Sequence, residues 1–391
     1  MKRIALTILT FVFVTNLFPK SNSDMLADNN DTNVKTGIIN STKFPQFSWD
    51  HVPVSAHLSI GKKGLTCEQY NFLADHFNFI TFSGSSEENI AAAARKIKRF
   101  NSNAKILFYW SCDMLKGTYK LSNSTFPVDG YISSTKKEKF TKHNLFDDTR
   151  SDVREWWSDV AAKVVQDYSC DGLFVDGVGT MPIKWGRLVD QDKVAELEKG
   201  LIIMLQEARK KMGSDKLIIF NALHGDNENI ESYGERMLPV ADGAMMDDFD
   251  RSPEVRQPSK EYLAAEIEEV CRAGKKGKIV IFKGWPGFTW WSDPELMKKS
   301  HEEILKLARE RITFPLACFL VAAQENCFFC YTWGWKSEYG SLDWYPEFDK
   351  PLGEPLGDMV KDGWEISREF KHASVWVNLE TKEANIKWKS R

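Results

Sequence analysis

The chain has 391 residues, a formal net charge of −3 and 27% charged residues. This balance excludes the basic surface expected of a nucleic-acid binder. The length fits one large domain with a small appendage.

Lys2 and Arg3 are followed by an apolar run over residues 4–18 and by the small polar residues Ser21, Asn22 and Ser23. This is the order of a secretory signal peptide, and the run is too short for a spanning helix. Residues 1–23 are therefore read as the export signal, with no cysteine placed for a lipid anchor. Residues 24–46, rich in Asn, Thr, Ser, Asp and Lys, are read as a flexible leader. The expectation is a secreted or periplasmic, soluble, monomeric protein. The triplets starting at Asn40 and Asn123 fit the glycosylation acceptor pattern, which matters only in a host with that machinery.

From residue 47 to about 340, strand-like and helix-like segments alternate. The strands are placed at 52–59, 77–83, 105–111, 172–176, 217–222, 243–247, 279–284 and 327–332. Several are continuous apolar runs (KILFYW, KLIIFNA, KIVIFKGW), the pattern of strands buried on both faces. Between them, Thr66 and Gln69 form a capping box for one helix, and Ser151 and Asp152 precede another. Val194, Leu197, Leu201, Leu205 and Ala208 share a stripe that Gly213 ends. Ser259 opens a helix that stops near Gly274, and Asp293 with Pro294 opens the next. Strands and helices in alternation predict a parallel sheet, and eight units predict a (β/α)8 TIM barrel over residues 47–340. No G-x-G-x-x-G follows the first strand, which weighs against an open dinucleotide-binding sheet.

A long polar insertion, about 112–144, follows the third strand and is placed over the barrel mouth. Residues 341–391 are read as a loop rich in Pro, Gly and Asp and a small β-hairpin (ASVWVNL, ANIKW) packed on the barrel. Seven widely spaced cysteines argue against a disulfide framework or a zinc site. Cys327 and Cys330 have CxxC spacing, but on a strand they point to opposite faces.

The catalytic candidates sit at strand ends. In CDGLFVDGVGT an apolar strand runs into Asp176 and a glycine-rich turn. In a barrel the carboxyl ends of the strands line the active site. Capping of the next helix is the plainer role for Asp176. ADGAMMDDFDR repeats the design with Asp247 and Asp248, one of which must point inward. Asp247 shares a face with Met245 and Gly243 and is preferred; the other, with Asp250 and Arg251, would form a surface ion pair. Two strand-end carboxylates are the minimum for cleaving a glycosidic bond. Asn221 and His224 end the fifth strand as candidate contacts to sugar hydroxyls, or as turn residues. Lys283 ends the seventh as a substrate contact or a carboxylate partner. Of 14 tryptophans, Trp110, Trp285, Trp333 and Trp335 fall at strand ends, with Trp290 and Trp291 in the loop after strand seven. There they would stack on sugar rings, or else serve as core. No metal motif is present, so no cofactor is expected.

FVDG after strand four, the Asp pair after a Met-rich strand six, and EFDKPLGEPLG…REFKHASVWVNLE resemble the barrel glycoside hydrolases related to the α-galactosidase clan. The nearest resemblance is to the group catalogued as hypothetical glycoside hydrolase family fifteen, from about residue 47 onward. The resemblance implies Asp176 as nucleophile and Asp247 or Asp248 as acid/base. The combined reading is a secreted, retaining glycoside hydrolase acting on an oligo- or polysaccharide. Its rivals are a catalytically silent carbohydrate-binding barrel, and a barrel hydrolase of esters or amides; the latter is weakened by the lack of a G-x-S-x-G elbow.

Overall fold

The computed structural model describes residues 43–135, 144–225, 233–247, 249–250 and 258–389. The proposed export signal, most of the leader, the Asn40 triplet, Arg251 and Asp248 lie outside the described residues.

Eight strands form one sheet in sequential order: β1 (Ala56–Ser59), β2 (Phe79–Ser83), β3 (Lys105–Ser111), β4 (Gly172–Asp176), β5 (Leu217–Asn221), β6 (Gly243–Met246), β7 (Ile279–Gly284) and β8 (Cys327–Tyr331). Every neighbouring pair is parallel. Val54 bridges to Phe329, and the Ser55 N–H donates to the Phe329 carbonyl at 2.9 Å, which brings β8 back to the start of β1. The result is the predicted (β/α)8 barrel. β1 begins later than residue 52 because Pro53 has no N–H to give a ladder, although its carbonyl accepts from Phe329 at 2.8 Å.

Two glycines show how tightly the ring is drawn. A Cβ at Gly172 would meet the Leu217 carbonyl oxygen at 2.1 Å, and one at Gly243 would meet that of Ile279 at 2.0 Å. No larger residue starts β4 or β6 without pushing the neighbouring strand away.

Alternation sorts the strand side chains into two sets. Leu107, Phe174, Ile219, Met245, Ile281 and Cys330 fill the lumen. Phe108, Leu173, Val175, Phe220, Phe282 and Cys327 face the surrounding helices. Cys327 and Cys330 accordingly lie on opposite faces, and all seven cysteines are free thiols.

The Cys67–His76 helix carries the full Thr66–Gln69 capping box, Gly213 ends the Gln191–Met212 helix at φ 107°, and Ser259 caps the Lys260–Lys275 helix. The helix expected from Asp293 is displaced. The Asp293 carboxylate accepts the Thr289 N–H at 2.9 Å within a turn, and the helix His301–Arg311 starts at a Ser300–Glu303 capping box. Among the described residues no helix is long and apolar enough to cross a membrane.

The C-terminal hairpin is present, as β11 (Ala373–Asn378) and β12 (Glu383–Trp388), but it belongs to a larger unit. With β9 (Val360–Asp362) and β10 (Glu365–Glu369) it makes a four-stranded antiparallel sheet. The sheet packs on the helix Thr313–Ala322, which after Thr313 is apolar on every side because barrel and sheet cover both flanks. Arg368 of β10 is buried there and donates to the Leu320, Val321 and Ala323 carbonyls left open at that helix's end.

Candidate active site at the carboxyl ends of the strands

Residues two apart on a strand share a face, so the lumen set continues upward into the site. Leu107 leads to Tyr109, Phe174 to Asp176, Ile219 to Asn221, and Met245 to Asp247. These upper members line a cavity of about 410 Å³, within the range of small-molecule sites.

Asp176 is held on both carboxylate oxygens. The Asn221 amide donates to Oδ1 at 2.7 Å, the Tyr109 hydroxyl donates to Oδ2, and the Lys116 ammonium stands 3.6 Å from Oδ2. Burial, with the adjacent Asp176 charge, holds the Tyr109 hydroxyl well above its ordinary pKa, so it remains a donor. Asn221 is fixed in turn because its Oδ1 accepts the Gly177 N–H at 2.9 Å. The short helical turn Val178–Thr180 takes no side-chain cap, so Asp176 is not spent on capping. The glycines after it serve close approach instead: a Cβ at Gly179 would fall 2.2 Å from the Ala222 Cβ.

Asp247 lies just past β6, partly buried, and its Oδ1 accepts the Ala222 N–H at 3.0 Å. Its pKa is raised, first by burial and then by the negative charge of Asp176, against a lowering influence from His224. Ala222 adopts a left-handed φ of 62°. Just beyond it, Glu266 accepts the Gly225 N–H at 3.0 Å and lies 3.3 Å from His224 Nδ1. One short segment, Asn221 to Gly225, thus positions both carboxyl groups and is anchored from the Lys260–Lys275 helix.

Several candidates are placed elsewhere than in contact with a substrate. His224 is buried against Glu266 and does not line the cavity. Asn221 lines it but is committed to Asp176 and Gly177. Lys283 is fully buried, and burial pushes its pKa down to about 8. Its ammonium donates to the Gly284 and Thr332 carbonyls at 2.8 and 2.6 Å and sits 3.6 Å over the Trp285 ring, so it ties β7 to β8. Trp110 faces outward, packed 6.0 Å from both Trp156 and Trp157. Trp333 is fully buried beside Phe288 and His301. Trp285 is buried as well: its indole N–H donates to the Asp247 carbonyl at 2.7 Å, and its ring backs Trp335. Of the four strand-end tryptophans, Trp335 alone lines the cavity. It is joined by Trp290 from the loop after strand seven, 41% exposed and stacked on Tyr339 at 5.7 Å. Asp250 accepts the Trp285 N–H at 3.2 Å.

Tyr109, Lys116, Tyr339 and Glu266 were not singled out by sequence. Tyr109 had a signal in its register, since it pairs with inward-facing Phe174. Glu266 had one too, as an acid on the stripe of Leu263, Ile267 and Val270. Lys116 and Tyr339 come from loops and had none. Among the described residues no group of three or more His, Cys, Asp or Glu side chains is arranged to hold a metal ion.

The arrangement separates two kinds of tryptophan by experiment. Trp335→Ala is expected to raise KM with little change in melting temperature, because the ring faces the cavity. Trp333→Ala is expected to cost about 3–5 kcal/mol of stability through the void it leaves. Thermal unfolding beside steady-state kinetics checks both, and equal destabilisation by the two would remove Trp335 from the cleft wall.

Residues 98–374 match the family model described as hypothetical glycosyl hydrolase family 15. No curated protein sequence matches the chain. Among solved structures, the chain is similar to the α-amylase of Geobacillus thermoleovorans complexed with acarbose, with TM-score 0.46 and 11% identity over 84% of this chain and 86% of that one. An α-amylase from Anoxybacillus gives TM-score 0.48 and 10% identity over 85% and 88%. The cycloisomaltooligosaccharide glucanotransferase of a Paenibacillus species, complexed with cycloisomaltoheptaose, gives TM-score 0.40 and 13% identity; there the match covers 61% of this chain and 39% of the other. The family assignment rests on the sequence match, which covers well over half of the chain: this (β/α)8 protein belongs to hypothetical glycosyl hydrolase family 15 and is a glycoside hydrolase.

Proposed function

We propose that the protein is an exported, retaining glycoside hydrolase acting on an oligo- or polysaccharide, with Asp176 as nucleophile and Asp247 as acid/base. The observation that carries this reading is two carboxyl groups on one cavity in opposite settings. Asp176 receives hydrogen bonds from the Tyr109 hydroxyl and the Asn221 amide, with the Lys116 ammonium nearby. Asp247 is raised by burial and by its neighbour's charge, which favours the protonated form. The protonated member, Asp247, suits the acid, and Asp176, on the same cavity, is left for the attack.

In this mechanism Asp176 attacks the anomeric carbon while Asp247 gives its proton to the leaving oxygen. A water then attacks the glycosyl–Asp176 ester and passes its proton to Asp247, which restores both groups. The aromatic surfaces of Trp335, Trp290 and Tyr339 would hold sugar rings by area. Export is supported by the Lys2–Arg3 pair and the apolar run that follows.

A polysaccharide and aryl-glycoside screen followed by proton NMR of the first product anomer tests the mechanism. Retention of configuration is expected. Inversion would recast Asp176 as a base for water.

A further inference from the structure

β1 reads Ala-His-Leu-Ser, and alternation turns His57 and Ser59 toward the cavity while Leu58 packs outward. His57 is 6% exposed in mainly aromatic company. Its ring stands edge-on to Phe174 at 4.8 Å, lies 4.5 Å from Trp335, and is 6.1 Å from Tyr109. Tyr109 and Phe174 are register partners, one inward step below the level of Asp176. His57 therefore belongs to the layer beneath the carboxylate, at the cavity floor.

Its Nδ1 is buried with no hydrogen-bond partner. A buried polar atom left without a partner costs stability, and a strand at this position folds as well on an apolar residue. With Nδ1 shut away, Nε2 is the polar ring atom left to meet a ligand. The ring is also neutral: burial first, and the Lys283 ammonium second, lower its pKa to about 3. Neutral imidazole is matched to a hydroxyl and offers no charge to a carboxylate or sulfate.

We propose that His57 is a specificity-determining residue whose Nε2 hydrogen-bonds one hydroxyl of an uncharged sugar ring seated on the cavity floor beneath Asp176. This rests on the glycosidase reading of the cavity. A site built to bond a hydroxyl rejects the analogue that lacks it, because the site's own polar atom is then stranded.

The test is a mutant-by-substrate cycle. The wild type is first screened on a panel of neutral 4-nitrophenyl glycosides. The best substrate and its monodeoxy analogues are then compared on wild type, His57→Phe and His57→Gln, with melting temperatures alongside. Wild type is expected to lose about tenfold in kcat/KM on one deoxy analogue. His57→Phe should lose about the same on the parent glycoside yet cleave the parent and that analogue equally, with its melting temperature unchanged or raised. His57→Gln, which keeps a polar group, should recover part of the discrimination, and it carries the cycle by itself if the Phe variant does not fold. Deoxy penalties that persist undiminished in the variants, or a fall in melting temperature with unchanged kcat/KM, would overturn the proposal and leave His57 a packing residue while the glycosidase reading stands. A folded wild type that cleaves no glycoside would remove both.

Discussion

Asp176→Asn is expected to remove turnover by a factor on the order of 10⁴ or more while the barrel stays folded. The substitution keeps the shape of the side chain but leaves no anionic oxygen to attack the anomeric carbon. Every contact around Asp176 is arranged for a carboxylate: the Tyr109 hydroxyl and the Asn221 amide both donate to it, and the Lys116 ammonium balances its charge. The side chain is 27% exposed, so an amide there is partly hydrated and the stability cost is small. Circular dichroism and thermal unfolding beside kinetics on an activated aryl glycoside separate loss of chemistry from loss of fold. Rescue of a smaller variant, Asp176→Gly, by added azide would identify the role further: azide attacks from the vacated face, the aryloxide leaves, and the glycosyl azide has inverted configuration. An Asp176→Asn enzyme within tenfold of wild type would exclude Asp176 as the nucleophile.

The barrel was legible because its strands are buried on both faces and so are spelled as apolar runs. β3, β4 and β7 occur at the residues the runs delimit. Asp247 lines the cavity two residues past lumen-facing Met245, but alternation alone left open which residue of the Asp247–Asp248 pair turns inward, because it does not say which face of a strand is the inner one. The tryptophans show where that reasoning stopped. Proximity to a strand end does not say which way a side chain turns, and Trp110 has the parity of outward-facing Phe108, whereas Tyr109 has that of the lumen. Trp285 and Trp333, beyond the ends of their strands, are buried in the wall and do not line the cavity. Lys116 reaches Asp176 from the insertion after β3, and Tyr339 reaches Trp290 from the loop after β8. Contacts of that kind depend on loop paths that no local pattern encodes. The extra strand Val360–Asp362 was missed for a related reason: all three residues are exposed, so it carries no apolar alternation to read.

The second large effect concerns Asp247 and pH. Its raised pKa keeps the proton on the carboxyl at pH values where an ordinary aspartate is ionised. As the general acid it works only while protonated, so kcat/KM should fall as pH rises through that raised value. Asp247→Asn should abolish this alkaline limb. It should cost about 10²–10⁴-fold on substrates with poor leaving groups and far less on activated ones, which need little protonation. Because the Asp176 charge is one of the causes of the raised pKa, Asp176→Asn should move the Asp247 titration downward, as read from its carboxyl carbon by NMR. Stability follows the same linkage with a definite sign. Between the unfolded and the raised folded pKa the native state binds more protons than the unfolded state, so stability falls as pH rises across that window. Above the window the native state holds a desolvated charge beside Asp176. Asn at this position keeps an oxygen to accept the Ala222 N–H and carries no charge. Asp247→Asn should therefore melt higher than wild type above the window, and the difference should vanish below it. A variant that melts lower at every pH would show that Asp247 is held for structure, and the role of acid would then pass to another carboxyl group.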